Sequence, residues 1–137
     1  FAKSLPMPVV IGALKRLEMI RTRPEFSQKL WEITRALQSG LREAGLDIGV
    51  TNSAVTPVMM HGSIPEATNV VLDLRERHGI FCSIVVYPVV PKDTILLRLI
   101  PTAVHSLDDV KRTIESFKDV KQKLEAGAYK AEKVATI

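Results

Sequence analysis

The 137-residue sequence has one cysteine, few aromatic residues and no long apolar segment. The single thiol, Cys82, excludes an intramolecular disulfide and fits a reducing compartment, so we expect a cytoplasmic protein. No apolar run reaches membrane-spanning length, and no signal peptide is visible. The net charge of +4 comes from lysines and arginines that are spread along the chain, which argues against a nucleic-acid partner.

The sequence also lacks the motifs that most often carry catalysis. It has no glycine-rich phosphate loop, no pair of cysteines for zinc and no nucleophile set beside a base. We therefore predict no catalytic residue and no metal site in this chain. Because the chain begins at Phe1 without an initiator methionine, we expect it to be a piece of a longer protein.

Apolar periodicity predicts four helices and three strands. Helices are expected from about residue 8 to 20, 24 to 44, 64 to 78 and 107 to 124, and strands at residues 54–61, 80–87 and 94–100. Pro57 suggests that the first strand lies at a sheet edge or contains a bulge, and the nearly continuous apolar run of the second predicts an interior strand. We expect an α+β domain in which helices cover one face of a small, mostly antiparallel sheet.

Local signals mark the ends of these elements. Ser63 and Glu66 form a capping box, Ser106 is a second N-cap, and Gly45 is placed to end the second helix. The apolar stripes between these signals, including Phe26 and Leu107, are interpreted as core. Residues after Gly127 are expected to fray or to pack weakly.

The most unusual residue is Arg98, which interrupts the apolar run ILLRLI. A guanidinium stays charged, and burying it without an anion costs several kcal/mol at least. A carboxylate of the protein could meet it in a structural ion pair, or the side chain could face solvent. A ligand carboxylate could equally be its partner, and local chemistry leaves these alternatives open.

Four segments in order, FAKSLPMPVV, TPVMM, GIFCSIVVYPVVP and LLRLIPTAVHSLDDV, resemble the C-terminal part of the α-oxoamine synthases. This family of pyridoxal-phosphate enzymes has the aspartate-aminotransferase fold and includes 8-amino-7-oxononanoate synthase, glycine C-acetyltransferase and serine palmitoyltransferase. The run from Tyr87 to Arg98 is similar to the proline loop and arginine of serine palmitoyltransferases, which favours that member. Its loop, Pro88 to Pro91, lacks the alanine and threonine expected between the prolines.

The resemblance implies a decarboxylating condensation of an amino acid with an acyl-CoA in a homodimeric parent enzyme, with pyridoxal phosphate as electron sink. It implies that Arg98 binds the substrate carboxylate, that Tyr87, Pro88 and Pro91 belong to the substrate site, and that Ser4 approaches the cofactor phosphate across the dimer. A serine before a helix-starting proline is also a common cap. The Schiff-base lysine of the family precedes this region, and Lys3 does not correspond to it.

We therefore expect residues 1–22 to be the end of a large domain with a connecting helix, residues 23–126 the small C-terminal domain of a fold-type I enzyme, and residues 127–137 a tail. The fragment alone should be inactive and bind no cofactor. The alternative is a stand-alone regulatory α+β domain that binds a small carboxylate. An upstream reading frame that carries a lysine motif would distinguish the two.

Overall fold

The computed structural model describes residues 4–130, which form four helices and three strands. The helices are α1 (Met7–Thr22), α2 (Pro24–Glu43), α3 (Ile64–Glu76) and α4 (Leu107–Glu125), and the strands are β1 (Thr56–His61), β2 (Ser83–Val85) and β3 (Thr94–Leu99). Their order along the chain is the predicted one, and the α+β class is confirmed. No helix within residues 4–130 has both the length and the apolar character needed to cross a membrane.

The sheet is antiparallel throughout, with the strand order β1-β3-β2. β1 lies at an edge, the first of the two positions that Pro57 suggested, where a residue without a backbone N–H costs the sheet no hydrogen bond. The prediction of an interior second strand is wrong: β2 is the opposite edge and has three residues. The apolar residues before β2 suggested a buried strand, but one of them, Phe81, is 83% exposed.

The core lies between one face of the sheet and the helices α2, α3 and α4. Alternate strand residues point into it because successive side chains of a strand face opposite sides. The fully buried members include Val58, Ile95 and Leu97 from the strands with Leu41 and Phe117 from the helices. Leu46 and Ile48, in the segment between α2 and β1, are also buried.

Helix ends follow the sequence signals. The capping boxes at Ser63 and Ser106 are both present, with Glu66 and Asp109 as the reciprocal partners. The backbone N–H and the hydroxyl of Ser63 donate to the Glu66 carboxylate, and those of Ser106 donate to Asp109. These hydrogen bonds hold the pKa of each carboxyl below its usual value. Gly45 lies two residues after the end of α2 and has φ at +71°, a backbone conformation that glycine adopts without strain.

None of the residues 7–22 that form α1 is buried. Its apolar side chains face outward, and Leu14 is 62% and Leu17 44% exposed. Phe26, at the start of α2, and Leu107, at the start of α4, are 45% and 46% exposed, so their assignment to the core is wrong. The apolar surface is therefore concentrated at the beginning of the chain.

The segment after Gly127 differs from the expectation of weak packing. Tyr129 is buried, its hydroxyl donates to Asp73 Oδ2, and its carbonyl accepts from Asn69 Nδ2 at 3.1 Å. These contacts join the end of the described chain to α3. The remainder of the predicted tail, residues 131–137, lies outside the described residues.

Candidate functional site

Arg98 lies on the face of the sheet that points away from the core helices. The burial of β3 alternates, with Ile95, Leu97 and Leu99 buried and Arg98 exposed. The register pairs Arg98 with Pro57 of β1 and with Ser83 of β2, so the three side chains share one face. The arginine is therefore tolerated in an apolar run because strand alternation turns it away from the core.

The Arg98 guanidinium has one side-chain partner in residues 4–130. Its Nε donates to Ser83 Oγ at 3.0 Å, and no carboxylate of the described chain lies within 4.0 Å of its nitrogens. Since Ser83 is neutral, the positive charge has no counter-charge there. A planar fork of N–H donors on an exposed face is suited to bind a carboxylate bidentately.

The loop of the predicted substrate site lies at the other end of the hairpin. Ser83 and Arg98 form the open end of the β2–β3 pair, whereas residues 86–93 close it. At about 3.3 Å per residue, Arg98 and Thr94 are roughly 13 Å apart along the strand. The register therefore places the Arg98 backbone and this loop at opposite ends of the hairpin.

Within that loop, Tyr87 is 51% exposed and its ring lies 5.4 Å from Lys92 Nζ. Pro88, which follows a cis peptide bond, and Pro91 are also exposed. No hydrogen bond joins this loop to Arg98 within residues 4–130.

Ser4 is exposed and lies just before α1. The residue at the N-cap of that helix is Pro6, and no side chain caps it by a hydrogen bond. Ser4 is therefore not the simple helix cap that was the alternative interpretation. Lys3 lies outside the described residues.

Two exposed apolar side chains flank the arginine end of the sheet. Phe81 and Ile100, which lie two residues beyond Ser83 and Arg98, are 83% and 61% exposed. Cys82, which follows Phe81 in the chain, is buried, and burial raises the pKa of its thiol to about 11. The thiolate is therefore scarce at neutral pH, which fits the interpretation of Cys82 as a core residue.

A second group of charges surrounds Asp73 on α3, which is buried. Its Oδ2 accepts from the Tyr129 hydroxyl and from Lys123 Nζ, the latter at 3.1 Å, and Lys123 Nζ is also 2.6 Å from Asp119 Oδ2. Burial alone would raise the pKa of Asp73. The hydrogen bonds from Tyr129 and Lys123, with the positive charges of Lys123 and Arg77, outweigh it and lower that pKa.

This group includes three side chains with metal-ligand chemistry: Asp73, His78 and Asp119 offer ligand atoms within 4.8 Å of one another. His78 Nε2 is 3.1 Å from Asp119 Oδ2 but lacks hydrogen-bonding geometry within the described chain. The ammonium of Lys123 contacts both carboxylates, so a cation of the protein already lies there. We interpret the group as a structural ion-pair network.

Sequence reasoning identified Arg98 as a candidate site residue. It missed Ser83, the partner of Arg98, and the residues that surround Asp73. Ser83 could have been found by pairing the two strands, because the hydroxyl stands opposite the arginine in the ladder. Tyr129 and Asp73 are 56 residues apart in the chain. No local pattern links them, so the network could not be read from the sequence.

No family model matches the sequence, but curated relatives do. Cysteate-C-fatty acyltransferase from Capnocytophaga ochracea is 63% identical over 131 residues, which are 96% of this chain and 31% of that protein. The 8-amino-7-oxononanoate synthase of Exiguobacterium sibiricum is 33% identical over 91% of this chain and 32% of its own length. Serine palmitoyltransferase from Sphingobacterium spiritivorum is 31% identical over 84% of this chain and 28% of its own length.

Solved structures agree with these relatives. Serine palmitoyltransferase from S. paucimobilis, with a bound pyridoxal phosphate–myriocin aldimine, has a TM-score of 0.76 at 26% identity, covering 92% of this chain and 32% of that chain. A second serine palmitoyltransferase structure with pyridoxal phosphate has a TM-score of 0.79 at 27% identity, covering 91% and 31%.

The fold and these likenesses define the small-domain architecture of fold-type I enzymes. The chain belongs to the α-oxoamine synthase family and matches the C-terminal part of its members. Within that family, its identity to the C. ochracea cysteate acyltransferase is 63%, compared with 31% to the serine palmitoyltransferase of S. spiritivorum. The chain spans about a third of the length of the curated relatives it matches.

Proposed function

We propose that this chain is the C-terminal part of a pyridoxal-phosphate-dependent enzyme that condenses an amino acid with a fatty acyl-CoA and releases carbon dioxide. The observation that carries the proposal is the 63% identity to a cysteate-C-fatty acyltransferase over 131 residues. Arg98 supports it, since an exposed guanidinium without a counter-charge within residues 4–130 is suited to a substrate carboxylate.

The amino acid is the finer part of the proposal. The Tyr87–Arg98 run favours L-serine, and the solved structures reported above are serine palmitoyltransferases. The identity of 63% instead favours L-cysteate, whose side chain is an anionic sulfonate. We propose L-cysteate as the first candidate and L-serine as the second.

The residues of this chain would bind and orient the substrate. Pyridoxal phosphate, when bound by the parent enzyme, supplies an electron sink for the α-carbon of the amino acid. Arg98 holds the carboxylate by two parallel N–H donors, which fixes the orientation of the α-carbon substituents. The exposed residues Tyr87, Pro88 and Pro91 contact the extended part of the substrate, and Ser4 contacts the cofactor phosphate across a homodimer interface.

The proposed domain organisation explains the surface of α1. Residues 1–22 would be the end of a large domain and a connecting helix, residues 23–126 the small domain, and residues 127–137 a tail. A helix that packs on a larger domain is expected to leave apolar side chains exposed without it, as Leu14 and Leu17 are. A cytoplasmic location and the inactivity of this chain on its own are parts of the same proposal.

The test uses the full-length protein loaded with pyridoxal phosphate. L-cysteate or L-serine is offered with palmitoyl-CoA, free CoA is measured with a thiol reagent, and the product is identified by mass spectrometry. We expect CoA release and a product lacking the carboxyl group, with L-cysteate the better substrate. If neither amino acid supports release while the protein binds them without the cofactor, a regulatory carboxylate-binding domain is the better interpretation.

A further inference from the structure

The partner of Arg98 is a neutral hydroxyl directly across the ladder. Ser83 of β2 and Arg98 of β3 are register partners, and the arginine Nε donates to Ser83 Oγ at 3.0 Å. Ser83 is half-buried, whereas Arg98 is exposed. The contact therefore lies at the base of the guanidinium, on the side nearer the sheet.

This contact decides which edge of the guanidinium is available. An arginine offers five N–H donors in one plane, one on Nε and four on Nη1 and Nη2. Since Nε is used by Ser83, a carboxylate is left with the outer edge formed by Nη1 and Nη2. The hydrogen bond also restricts rotation about the long side chain, and a fork that is already oriented loses less entropy when it binds.

We infer that Ser83 is a positioning residue that holds the Arg98 guanidinium for end-on, bidentate binding of the amino-acid carboxylate. This inference rests on the proposed role of Arg98 as the carboxylate-binding residue. Within residues 4–130 the Ser83 hydroxyl hydrogen-bonds to the arginine, and it acts on the substrate through that residue.

A purely structural role for the hydroxyl explains the site less well. Backbone pairing already joins β2 to β3 at residues 83–85, and the Ser83 side chain makes no other hydrogen bond within residues 4–130. A contact to an exposed arginine is expected to add little to folding. The hydrogen bond instead affects binding, because it holds the guanidinium at Nε and leaves Nη1 and Nη2 for the carboxylate.

The first measurement compares Ser83→Ala with Ser83→Thr in the full-length, cofactor-loaded protein. We expect Ser83→Ala to raise the KM for L-cysteate, or for L-serine if that is the substrate, by about three- to tenfold. The KM for palmitoyl-CoA and the melting temperature should stay unchanged. Ser83→Thr keeps the hydroxyl and should restore the amino-acid KM to within about twofold.

Ser39→Ala is the matched control. Ser39 Oγ donates to Glu43 Oε1 at 2.8 Å on the exposed side of α2, so this variant also removes a serine hydroxyl from an exposed hydrogen bond. It should leave the amino-acid KM unchanged. If Ser83→Ala lowers the melting temperature and leaves that KM unchanged, the serine is structural and the inference is wrong.

A double variant separates this inference from the proposed function. If Ser83 acts through Arg98, Ser83→Ala should have less than a twofold effect on amino-acid affinity once Arg98→Ala is present. A full effect in that background would overturn the positioning role while leaving the function intact. If Arg98→Ala alone does not weaken amino-acid binding, the proposed role of the arginine fails, and the inference fails with it.

Discussion

Arg98 and Asp73 are charged residues of the same domain that differ in burial and in the partners of their charges. Arg98 is exposed, and its partner in residues 4–130 is the neutral Ser83. Asp73 is buried, and Tyr129 and Lys123 donate to it while Arg77 Nε lies 3.2 Å from its Oδ1. The charge that stabilises the fold is met by charged partners within the described chain, whereas the charge that we propose binds a ligand is met there by a neutral hydroxyl.

The largest expected effect is on substrate binding at Arg98. Arg98→Ala removes a charge-assisted pair that contributes about 1.5–3 kcal/mol, so amino-acid affinity should fall by about one to two decades. Arg98→Lys keeps the charge but loses the fork, and it should give an intermediate loss. Amino-acid affinity of the full-length protein is measured beside the melting temperature of each variant.

The comparison requires that these variants fold normally, because the exposed arginine does not stabilise the core. A large fall in melting temperature with unchanged amino-acid affinity would place Arg98 in the same class as Asp73. The distinction between the two charges would then disappear.

Substitution at Asp73 should have the reverse profile. Asp73→Ala leaves the buried Tyr129 hydroxyl without its acceptor and Lys123 with one carboxylate fewer, and it should lower the free energy of unfolding by about 3 kcal/mol. Glu76→Ala, at an exposed position of the same helix, should change it by less than about 0.5 kcal/mol. Urea denaturation of the 137-residue chain measures both, and an equal effect of the two variants would contradict the structural role of Asp73.

Tyr129→Phe should have a smaller effect, because it removes one hydroxyl while Lys123 continues to bind Asp73. We expect a loss of about 1 kcal/mol in the free energy of unfolding. Tyr87→Phe is the matched control, since Tyr87 is exposed in the loop and should show no change in stability. If both variants are equally stable, the end of the described chain does not contribute to the fold.

The same residues predict how stability depends on pH. The pKa of Asp73 is lowered in the fold, so its contribution is present above the unfolded value near 4 and is lost as the pH falls through the folded value. The pKa of Tyr129 is raised by burial and by Asp73, so its contribution is present below about 10 and is lost as the pH rises further. Melting temperatures between pH 3 and 11 should show a plateau with a fall at each end, and Asp73→Ala should weaken the fall at the acid end.

Covalent chemistry is the smallest expected effect, because we expect none. After incubation of the 137-residue chain with pyridoxal phosphate and reduction by borohydride, mass mapping should show no stoichiometric adduct at one lysine. The sequence has no lysine motif of the family, and Lys123, which contacts two carboxylates, has a raised pKa that disfavours the reactive amine. A single saturable site would contradict the proposed fragment.

Sequence reasoning was most successful where a few neighbouring residues decide the structure. The capping box at Ser63, the N-cap at Ser106 and the edge position of Pro57 depend on local hydrogen bonding, and each is present. β3 was predicted at residues 94–100 and observed at Thr94–Leu99. The odd character of Arg98 was also visible locally, because charge within an apolar run needs an explanation.

The errors arose where exposure depends on distant parts of the chain. Phe81 and its apolar neighbours suggested an interior strand, but the position of a strand within a sheet is set by its partners and not by its own sequence. Tyr129 was assigned to a weakly packed tail because its partner lies 56 residues away.

The separation of arginine and loop within one hairpin has an evolutionary consequence. A deletion of one residue inside β2 or β3 would turn Ser83 or Arg98 to the opposite face of the sheet, because side chains alternate along a strand. The loop at residues 86–93 can change in length and sequence at little thermodynamic cost. Divergence among homologues should therefore accumulate as insertions and substitutions in the loop, while the strands that carry Ser83 and Arg98 keep a constant length.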